Sequence, residues 1–484
     1  MRSSVLLDAL RREDLLLSAP RQLPSLTGVG VDSRSVRPGM LYVAVRGSQA
    51  DGHRFIADAA RRGAAAVVVE ESQGSAVPEI VVRDGRRAAL ALGAAWHGYP
   101  ARQLTLLGVT GTNGKTTTTG LLTHLFNERG TAGSVGTLGA FDGRNQPIES
   151  TAGSLTTPGP VDLQATLAEL VARGTTHVVM EASSHSLDQG RLDGLVLAAG
   201  IFTNLTRDHL DYHGTMEDYL AAKLKLSALL GTTGLEVVNL DDDVWRALPT
   251  RLPRVTFGLH PAADVRASGV VLDAAGSRFE IGGRFGTIEA SLPLLGDFNV
   301  ANALAAAACA LGLGHPLERV VARLAIVPQV PGRMERISEV PCVVLRDYAH
   351  TPDALDRALA TLRPLTRGRL IVVFGCGGDR DRGKRPIMGR IAAERSDLAF
   401  VTSDNPRTED PDAIIDDVEQ GMGSVSHRRI GDRRAAIHAS LAEARAGDTI
   451  LLAGKGHETY QVLGTEKVPF DEREIVGRAV KGEG

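Results

Sequence analysis

Cysteine is scarce, with only Cys309, Cys342 and Cys376, far apart and odd in number. That spacing excludes a disulfide framework and a cysteine metal cluster, and it favours a reducing cytoplasm. Aromatic residues are few, at 4%, and basic residues (54) are balanced by acidic ones (57), for a net charge of −3. With no basic run, this argues against a nucleic-acid binder. An anionic ligand must then be held by local groups rather than by the field of the whole molecule. Long apolar runs are missing too. The longest small-apolar stretch, Ala303 to Leu313, is far short of the roughly 20 residues that span a bilayer and reads as a buried helix. The first twelve residues lack the apolar core and cleavage site of a secretory signal. A globular cytoplasmic protein is what remains, and 484 residues at about 100–200 per domain suggest two to four domains.

Three stretches of the chain read differently. From about residue 25 to 100 there are short apolar strands at Leu41–Val45, Ala65–Val69 and Ile80–Val82, with a helical piece at Phe55–Arg62. From Leu104 the units lengthen. A continuous apolar strand, Leu104–Val109, precedes a helix over Thr116–Arg129 that Gly130 stops. Strands at His177–Met180, Gly200–Thr203 and Leu235–Asn239 then alternate with helical periodicity at Asp162–Ala172 and Glu217–Leu230, which implies a parallel sheet covered on both faces. Gly282–Leu294 alternates like a β-hairpin, and Asn299–Leu311 is a long Ala-rich helix. Beyond the Pro328–Gly332 linker, four more strands (Cys342–Leu345, Leu370–Phe374, Leu398–Thr402, Thr449–Leu452) are each followed by a polar or Gly-rich segment. Ligands bind at such strand ends in open parallel sheets.

The most informative motif is Gly111-Thr112-Asn113-Gly114-Lys115-Thr116. Its glycines let backbone N–H groups turn toward phosphate oxygens, Lys115 adds a mobile charge, and the Thr116 hydroxyl can ligate Mg²⁺ at a helix N-terminus. Val109 stands where the longer G-x-x-x-x-G-K-[ST] pattern has glycine. Farther on, Glu181 ends one strand, and Asn204 to Gly214, with His209, Asp211 and His213, follow another. These carboxylates and imidazoles can face a nucleotide and its metals. Equally, Asp208 and Asp211 can cap the next turn, and His213 can lie on the surface. Periodicity alone reads Lys223 as a solvated helix lysine, and Arg380 as a solvated charge within Asp379-Arg380-Asp381-Arg382.

Taken together, these motifs resemble the Mur ligases. The matching segments are Gly111–Thr117, Met180–His185, Thr203–Gly214, Tyr219-x-x-Ala222-Lys223, Asn299-Val300-x-Asn302, Pro331-Gly332-Arg333, Asp347–His350 and Gly454–Glu458. The likeness runs from Asp32-Ser33-Arg34 nearly to the end of the chain. It implies three α/β domains: a small UDP-binding domain (1–102), a central P-loop-type ATPase domain with a mostly parallel sheet (103–330), and a Rossmann-like C-terminal domain for the amino acid (331–484). The implied activity is an ATP-dependent amide ligase in peptidoglycan precursor synthesis. Within the family, Asp404-Asn405-Pro406-Arg407 is similar to the signature of members that add meso-diaminopimelate, not L-lysine, to UDP-N-acetylmuramoyl-L-Ala-D-Glu through an acyl phosphate. Shared parts with folylpolyglutamate synthetase, a lysine-using relative, and a slow ATP-hydrolysing switch are the competing readings.

Residue by residue, the resemblance assigns ATP to Gly111, Thr112, Asn113, Gly114, Lys115, Thr116, Thr117, Asn302, Arg333 and Asp347. The sugar-dipeptide falls to Ser33, Ser48, Gln49, Ala50, Thr156, Thr157, Ser183, Gln189 and Arg191. Diaminopimelate falls to Arg380, Asp404, Asn405, Pro406, Arg407, Gly454 and Glu458. Lys115, His209 and Lys223 are the implied catalytic groups. The implied metal ligands, for two Mg²⁺, are Thr116, Glu181, His209 and Lys223, the last carbamylated. Arginines can grip the far carboxylate of diaminopimelate bidentately, and Glu458 and Asp404 can take its ammonium. A monomer is expected, with neither nucleic-acid nor membrane partners, and the last domain is expected to close on the Pro328–Gly332 hinge.

Overall fold

The computed structural model describes residues 3–47, 50–149, 155–249 and 252–483. The chain divides into two compact units. The first runs to Arg266 and includes Gly282–Gly286 and Asn302–Val320; the second holds the rest.

The first unit opens with a five-stranded sheet, in the order Leu16–Ser18, Glu79–Val82, Ala66–Val69, Met40–Val43, Gly28–Gly30. All neighbours are parallel except the first pair. Its strands alternate between two cores, as a period of two requires. Leu41, Val43, Ala66, Val68, Ile80 and Val82 face one way with Leu6, Leu10 and Leu92, and Tyr42, Val67 and Val69 face the other with Ile56 and Ala59. Burial on both faces explains why these strands read as unbroken apolar runs.

The same unit contains the central sheet, whose middle strand is Thr105–Thr110. His177–Glu181 lies parallel on one side of it and Leu197–Phe202 parallel on the other. The order reverses at this strand, so the loops after all three strands open at one carboxyl edge, where ligands bind in such sheets. Ala132–Gly136 continues the sheet beyond His177–Glu181, and Leu230–Asn239 and Arg254–Gly258 continue it beyond Leu197–Phe202. The helix Gly85–Trp96 of the first sheet meets the helix Pro160–Ala172 of the central one closely. A Cβ at Gly93 would lie 3.2 Å from the Val161 Cα.

The second unit is built on a six-stranded sheet, in the order Glu335–Ser338, Val343–Asp347, Thr449–Ala453, Leu370–Phe374, Leu398–Val401, Arg428–Arg429. Every neighbour is parallel except the first pair. Leu359, Met388, Ile414 and Val418 cover one face, and Ile437, Leu441, Ile475 and Val476 cover the other. A hairpin forms between Gly276–Gly283 and Ile288–Leu292, so the expected segment Gly282–Leu294 holds its turn and second strand while the first strand begins earlier. The architecture is thus three α/β parts, with a mostly parallel sheet at the centre and a Rossmann-like sheet at the C-terminal end.

Candidate active site

The central strand Thr105–Thr110 delivers the chain into Gly111–Gly114 and then the helix Lys115–Phe126. Gly111 has φ +149 and no room for a side chain, since a Cβ would sit 1.9 Å from Thr203 Oγ1; at Gly114 it would meet Asn302 Oδ1 at 2.3 Å. The loop is braced by the segment after the neighbouring strand. Asn113 N–H donates to Asn204 Oδ1 (2.9 Å), Thr203 Oγ1 donates to Asn113 O (2.7 Å), and Thr112 N–H donates to Asn204 O (2.8 Å). Thr118 Oγ1 reaches Asn302 Oδ1 at 3.3 Å, so Asn302 belongs to this loop.

Two lysine side chains converge here. Lys115 Nζ donates to Gly111 O and to Thr112 O, each at 2.8 Å, and Lys223 Nζ donates to the same Gly111 O at 2.8 Å. Lys223 is 1% exposed, and its Nζ lies 4.4 Å from the centre of the Tyr219 ring. The reading of Lys223 as a solvated helix lysine is therefore overturned. It belongs to the buried stripe Tyr219, Ala222, Lys223, Leu226 of the helix Met216–Ala228. Burial first, and the Lys115 charge second, push its amine well below the ordinary lysine range.

Glu181 closes its strand with 1% exposure. Thr137 N–H and Oγ1 donate to its two oxygens at 2.8 and 2.9 Å. Thr137 Oγ1 also reaches Thr156 Oγ1 (3.2 Å), and Thr157 Oγ1 donates to Glu181 O (2.7 Å). His209, at φ +54, turns its ring edge to His185 at 4.8 Å between centroids. Desolvation lowers its imidazole, opposed by Asp208. His185 is driven down to about 4 by burial and then by His209 and His213. His213 is half-buried against Ser184 Oγ (3.0 Å), not on the open surface. Asp208 Oδ1 accepts from His209 N–H at 2.8 Å. Among the described residues, no three His, Cys, Asp or Glu side chains are grouped as a metal site. Lys223 as an amine cannot supply a ligand oxygen, so the predicted set is not preassembled.

A cavity of about 640 Å³ lies between the first sheet and the central one, and Ala50, Arg86, Gln189, Arg191, Asp211 and Tyr212 are among the residues that line it. Arg191 donates to Gln189 Oε1 (2.7 and 3.1 Å) and Thr157 O (2.9 Å). Arg86 donates to Gln189 O (2.9 Å) and Arg46 O (3.2 Å). Burial lowers the Arg191 guanidinium, and the Arg86 charge adds to it. Ser33 is buried on the turn Ser33–Ser35, and Ser183 caps the helix Ser184–Asp188. Ser48 and Gln49 lie outside the described residues. Sequence reasoning missed Arg86. A cation in the first turn of a helix opposes the dipole and was a usable signal.

In the second unit, Arg333 lies over the Tyr348 ring at 4.6 Å. Desolvation raises the Asp347 carboxyl despite the nearby Arg333 charge and the Met334 N–H it accepts at 2.6 Å. Asp404–Arg407 follows the strand Leu398–Val401. Asn405 Nδ2 donates to Glu458 Oε2 at 2.9 Å. Gly454 has φ +114, and a Cβ there would lie 2.7 Å from Asp404 Oδ2. Pro406 O packs against Gly378, where a Cβ would come within 1.9 Å of it. Arg407 donates to Gly378 O (2.8 Å) and Asn405 O (3.5 Å), both neutral acceptors. Arg380 is exposed and bonds Asp379 O. The structure adds a residue that sequence reasoning passed over: Lys455, fully buried between Asn405, Glu458 and Asp404.

Three family models match successive stretches. They are described as Mur ligase family, catalytic domain (residues 25–95), Mur ligase middle domain (109–310), and Mur ligase, glutamate ligase domain (332–456). The chain is similar to the UDP-N-acetylmuramoyl-L-alanyl-D-glutamate--2,6-diaminopimelate ligase of Gloeobacter violaceus, at 46% identity over 98% of each chain. The protein of that name from Geobacillus kaustophilus is 43% identical over 95% of this chain and 96% of its own. A solved structure of a ligase with the same name is 35% identical, covers 95% of each chain and superposes with a TM-score of 0.65.

Proposed function

The chain belongs to the Mur ligase family and is an ATP-dependent amide ligase, and from that premise we propose that it joins meso-diaminopimelate to UDP-N-acetylmuramoyl-L-Ala-D-Glu in peptidoglycan precursor synthesis. The γ-carboxylate of D-glutamate takes the terminal phosphoryl group of ATP. The diaminopimelate amine then attacks the acyl phosphate, forming the amide and releasing phosphate. Carboxylate and amine do not condense readily in water, and phosphorylation turns a carboxylate oxygen into a leaving group.

The observation that carries this reading is where the polar side chains gather at the two sets of strand ends. At Gly111 O, two lysine amines meet at 2.8 Å each, which suits a polyphosphate and a developing phosphoryl charge. In the second unit, the hydrogen bonds of the Arg407 side chain among the described residues go to carbonyl oxygens, while Asp404 and Glu458 share one lysine. That leaves a positive group for a carboxylate and a negative group for an ammonium, the two ends of an amino-acid terminus that L-lysine only half provides. In this reading Gly111–Thr117 and Asn302 hold ATP with Arg333 and Asp347. Ser33, Ser48, Gln49, Ala50, Thr156, Thr157, Ser183, Gln189 and Arg191 hold the sugar-dipeptide. Residues 1–102, 103–330 and 331–484 are the corresponding domains of a cytoplasmic enzyme.

The residues present would hold Mg²⁺ beside the phosphates, where it would supply positive charge to offset the charge of the transferring phosphoryl group. Glu181 suits it, as a buried carboxylate with no ion-pair partner among the described residues, and Thr116 supplies a hydroxyl. A second ion would use His209 and a carbamate on Lys223. A neutral Lys223 amine can add to CO₂, forming an N–C bond and releasing one proton, and burial beside Lys115 favours the neutral amine.

The test is phosphate release from ATP with UDP-N-acetylmuramoyl-L-Ala-D-Glu and either meso-diaminopimelate or L-lysine. Release is expected only with all substrates present, and with meso-diaminopimelate strongly preferred. Release without the sugar-dipeptide would overturn the ligase reading, and equal turnover with L-lysine would overturn the specificity.

A further inference from the structure

We propose that Lys455 is a positioning residue that fixes how Asn405 and Glu458 are presented to the far-end ammonium of the amino-acid substrate, an assignment that rests on the amino-acid reading of this pocket. Lys455 has no exposed side-chain surface. Its Nζ donates to Asn405 Oδ1 and to Glu458 Oε2, each at 3.0 Å, and lies 3.6 Å from Asp404 Oδ1. The rings of Tyr460 and Phe470 flank it, with centres at 5.9 Å.

The geometry does more than neutralise charge. An ammonium only donates, so it decides which end of the Asn405 amide faces it. Oδ1 is held there by Lys455 and by Val462 N–H at 2.9 Å, which turns Nδ2 to Glu458. Glu458 Oε2 therefore receives two donors, from Lys455 and Asn405. Its other oxygen, Oε1, has no donor among the described residues. Asp404 Oδ1 is buried without a hydrogen bond. Two carboxylates around one buried cation leave one net negative charge. The oxygen that carries it to a ligand is chosen by the Lys455 and Asn405 bonds. A cation that merely balanced charge could pair with either carboxylate in any orientation.

The experiment compares the full-length wild type with Lys455→Met, which keeps the chain length and removes the charge, and with Lys455→Arg. Steady-state constants are measured for ATP, the sugar-dipeptide, meso-diaminopimelate and 2-aminopimelate, which lacks the far-end amine. In Lys455→Met the KM for meso-diaminopimelate is expected to rise about 10- to 100-fold, as for a lost charge-assisted pair. The KM values for ATP and the sugar-dipeptide should hold within about twofold and kcat within about threefold, a split that expresses lost binding rather than lost chemistry. The kcat/KM preference for meso-diaminopimelate over 2-aminopimelate should collapse at least about tenfold, with partial recovery in Lys455→Arg.

Should Lys455→Met not fold, Asn405→Asp carries the same question. It keeps an oxygen for Lys455 but loses the donor to Glu458 Oε2, and the same loss of preference is expected. An unchanged preference in whichever variant folds overturns the assignment. So does a lower KM for meso-diaminopimelate in Lys455→Met, since Lys455 would then only repel the ammonium. A wild type that does not turn over meso-diaminopimelate overturns the amino-acid reading itself, and the two failures are therefore separate.

Discussion

Lys223 and Lys455 are the two buried lysines among the described residues, at 1% and 0% exposure, and the protein surrounds them in opposite ways. Lys455 is held by Glu458, Asn405 and Asp404, so its charge is answered where it is made. Lys223 has a carbonyl oxygen it shares with Lys115 and the face of Tyr219, and no carboxylate lies within 4 Å of it among the described residues. Desolvating an ammonium costs several kcal/mol unless a partner offsets it. One lysine meets that requirement with an ion pair; at the other, burial and then the Lys115 charge push the amine well below the ordinary lysine range. Burial alone therefore does not define what a lysine does. A lysine paired with carboxylates can orient its neighbours, whereas one buried beside a second cation is biased toward the neutral amine.

The widest separation between the two should appear in catalysis at Lys223. Lys223→Met is expected to lower kcat about 10³-fold or more, the scale of removing a group that stabilises transition-state charge. Its thermal midpoint should hold or rise, because a methionine needs no counter-charge in that site. A preparation freed of CO₂ should regain activity when bicarbonate is added, and Lys223→Met should not. Normal turnover in the variant, or indifference of the wild type to bicarbonate, would remove the carbamate role.

In stability the expected order reverses. Lys455→Met leaves the buried Asp404 and the half-buried Glu458 without their cation, and breaking such a cluster costs about 3 kcal/mol or more. Urea unfolding at neutral pH should separate the two variants by at least that amount. Equal stabilities would mean that the ion pairs around Lys455 contribute no more than the lone carbonyl contact of Lys223.

Both lysines illustrate what the sequence made legible. The strand, loop and helix around Gly111–Lys115 were readable because the apolar run, the glycines and the following helical periodicity are local signals, although Thr203, Asn204 and Asn302 that brace the loop are distant in sequence. Lys223 stands at i+4 from Tyr219 and three before Leu226, within the apolar stripe, so its burial was encoded in the spacing; a charged residue type masked it. The Ala132–Gly136 strand escaped notice because Ala-Gly-Ser-Val-Gly has little apolar bulk, and its pairing with His177–Met180 on one side and Gly139–Phe141 on the other makes it a strand. Lys455 was passed over for a different reason. Glu458 lies only three residues on, but Asn405 and Asp404 are some fifty residues earlier, and no local pattern reports partners that distant. Arg380, read from its neighbours as a solvated charge, is indeed exposed.

A smaller effect is expected from the backbone beside Lys455. Gly454→Ala would place a Cβ 2.7 Å from Asp404 Oδ2 at φ +114, which displaces the carboxylate and strains the chain. The KM for meso-diaminopimelate should rise about tenfold, the scale of one weakened charged contact, with the KM for ATP unmoved. An unchanged amino-acid KM would take Asp404 out of the pocket and leave the cation at Lys455 serving Glu458 alone.

Compensation in the second unit extends to Glu409, and pH tests it there with the least disruption. Glu409 accepts from the buried Arg385 at 2.9 Å and from the Asp379 N–H, and it pairs with Arg382 at 2.9 Å. Thr408 Oγ1 also donates to Asp379 at 2.9 Å, so the Arg380 loop and the Arg407 loop are tied together. The Arg385 hydrogen bond, then the Asp379 N–H, hold the Glu409 carboxyl down to about 2, against an ordinary 4.5. A carboxyl lowered on folding stabilises the fold at every pH above its unfolded value, and that contribution fades as the pH falls from 4.5 toward 2. Glu409→Gln has no such titration. The stability difference between wild type and variant should therefore be full at about pH 6.5 and clearly smaller at about pH 3.5, read from urea midpoints at the two values. A difference that stays constant would show that Glu409 acts through shape rather than charge. Because the variant leaves both loops uncut, it should also lower the preference for meso-diaminopimelate over L-lysine if the tie sets the spacing of Arg380 and Arg407.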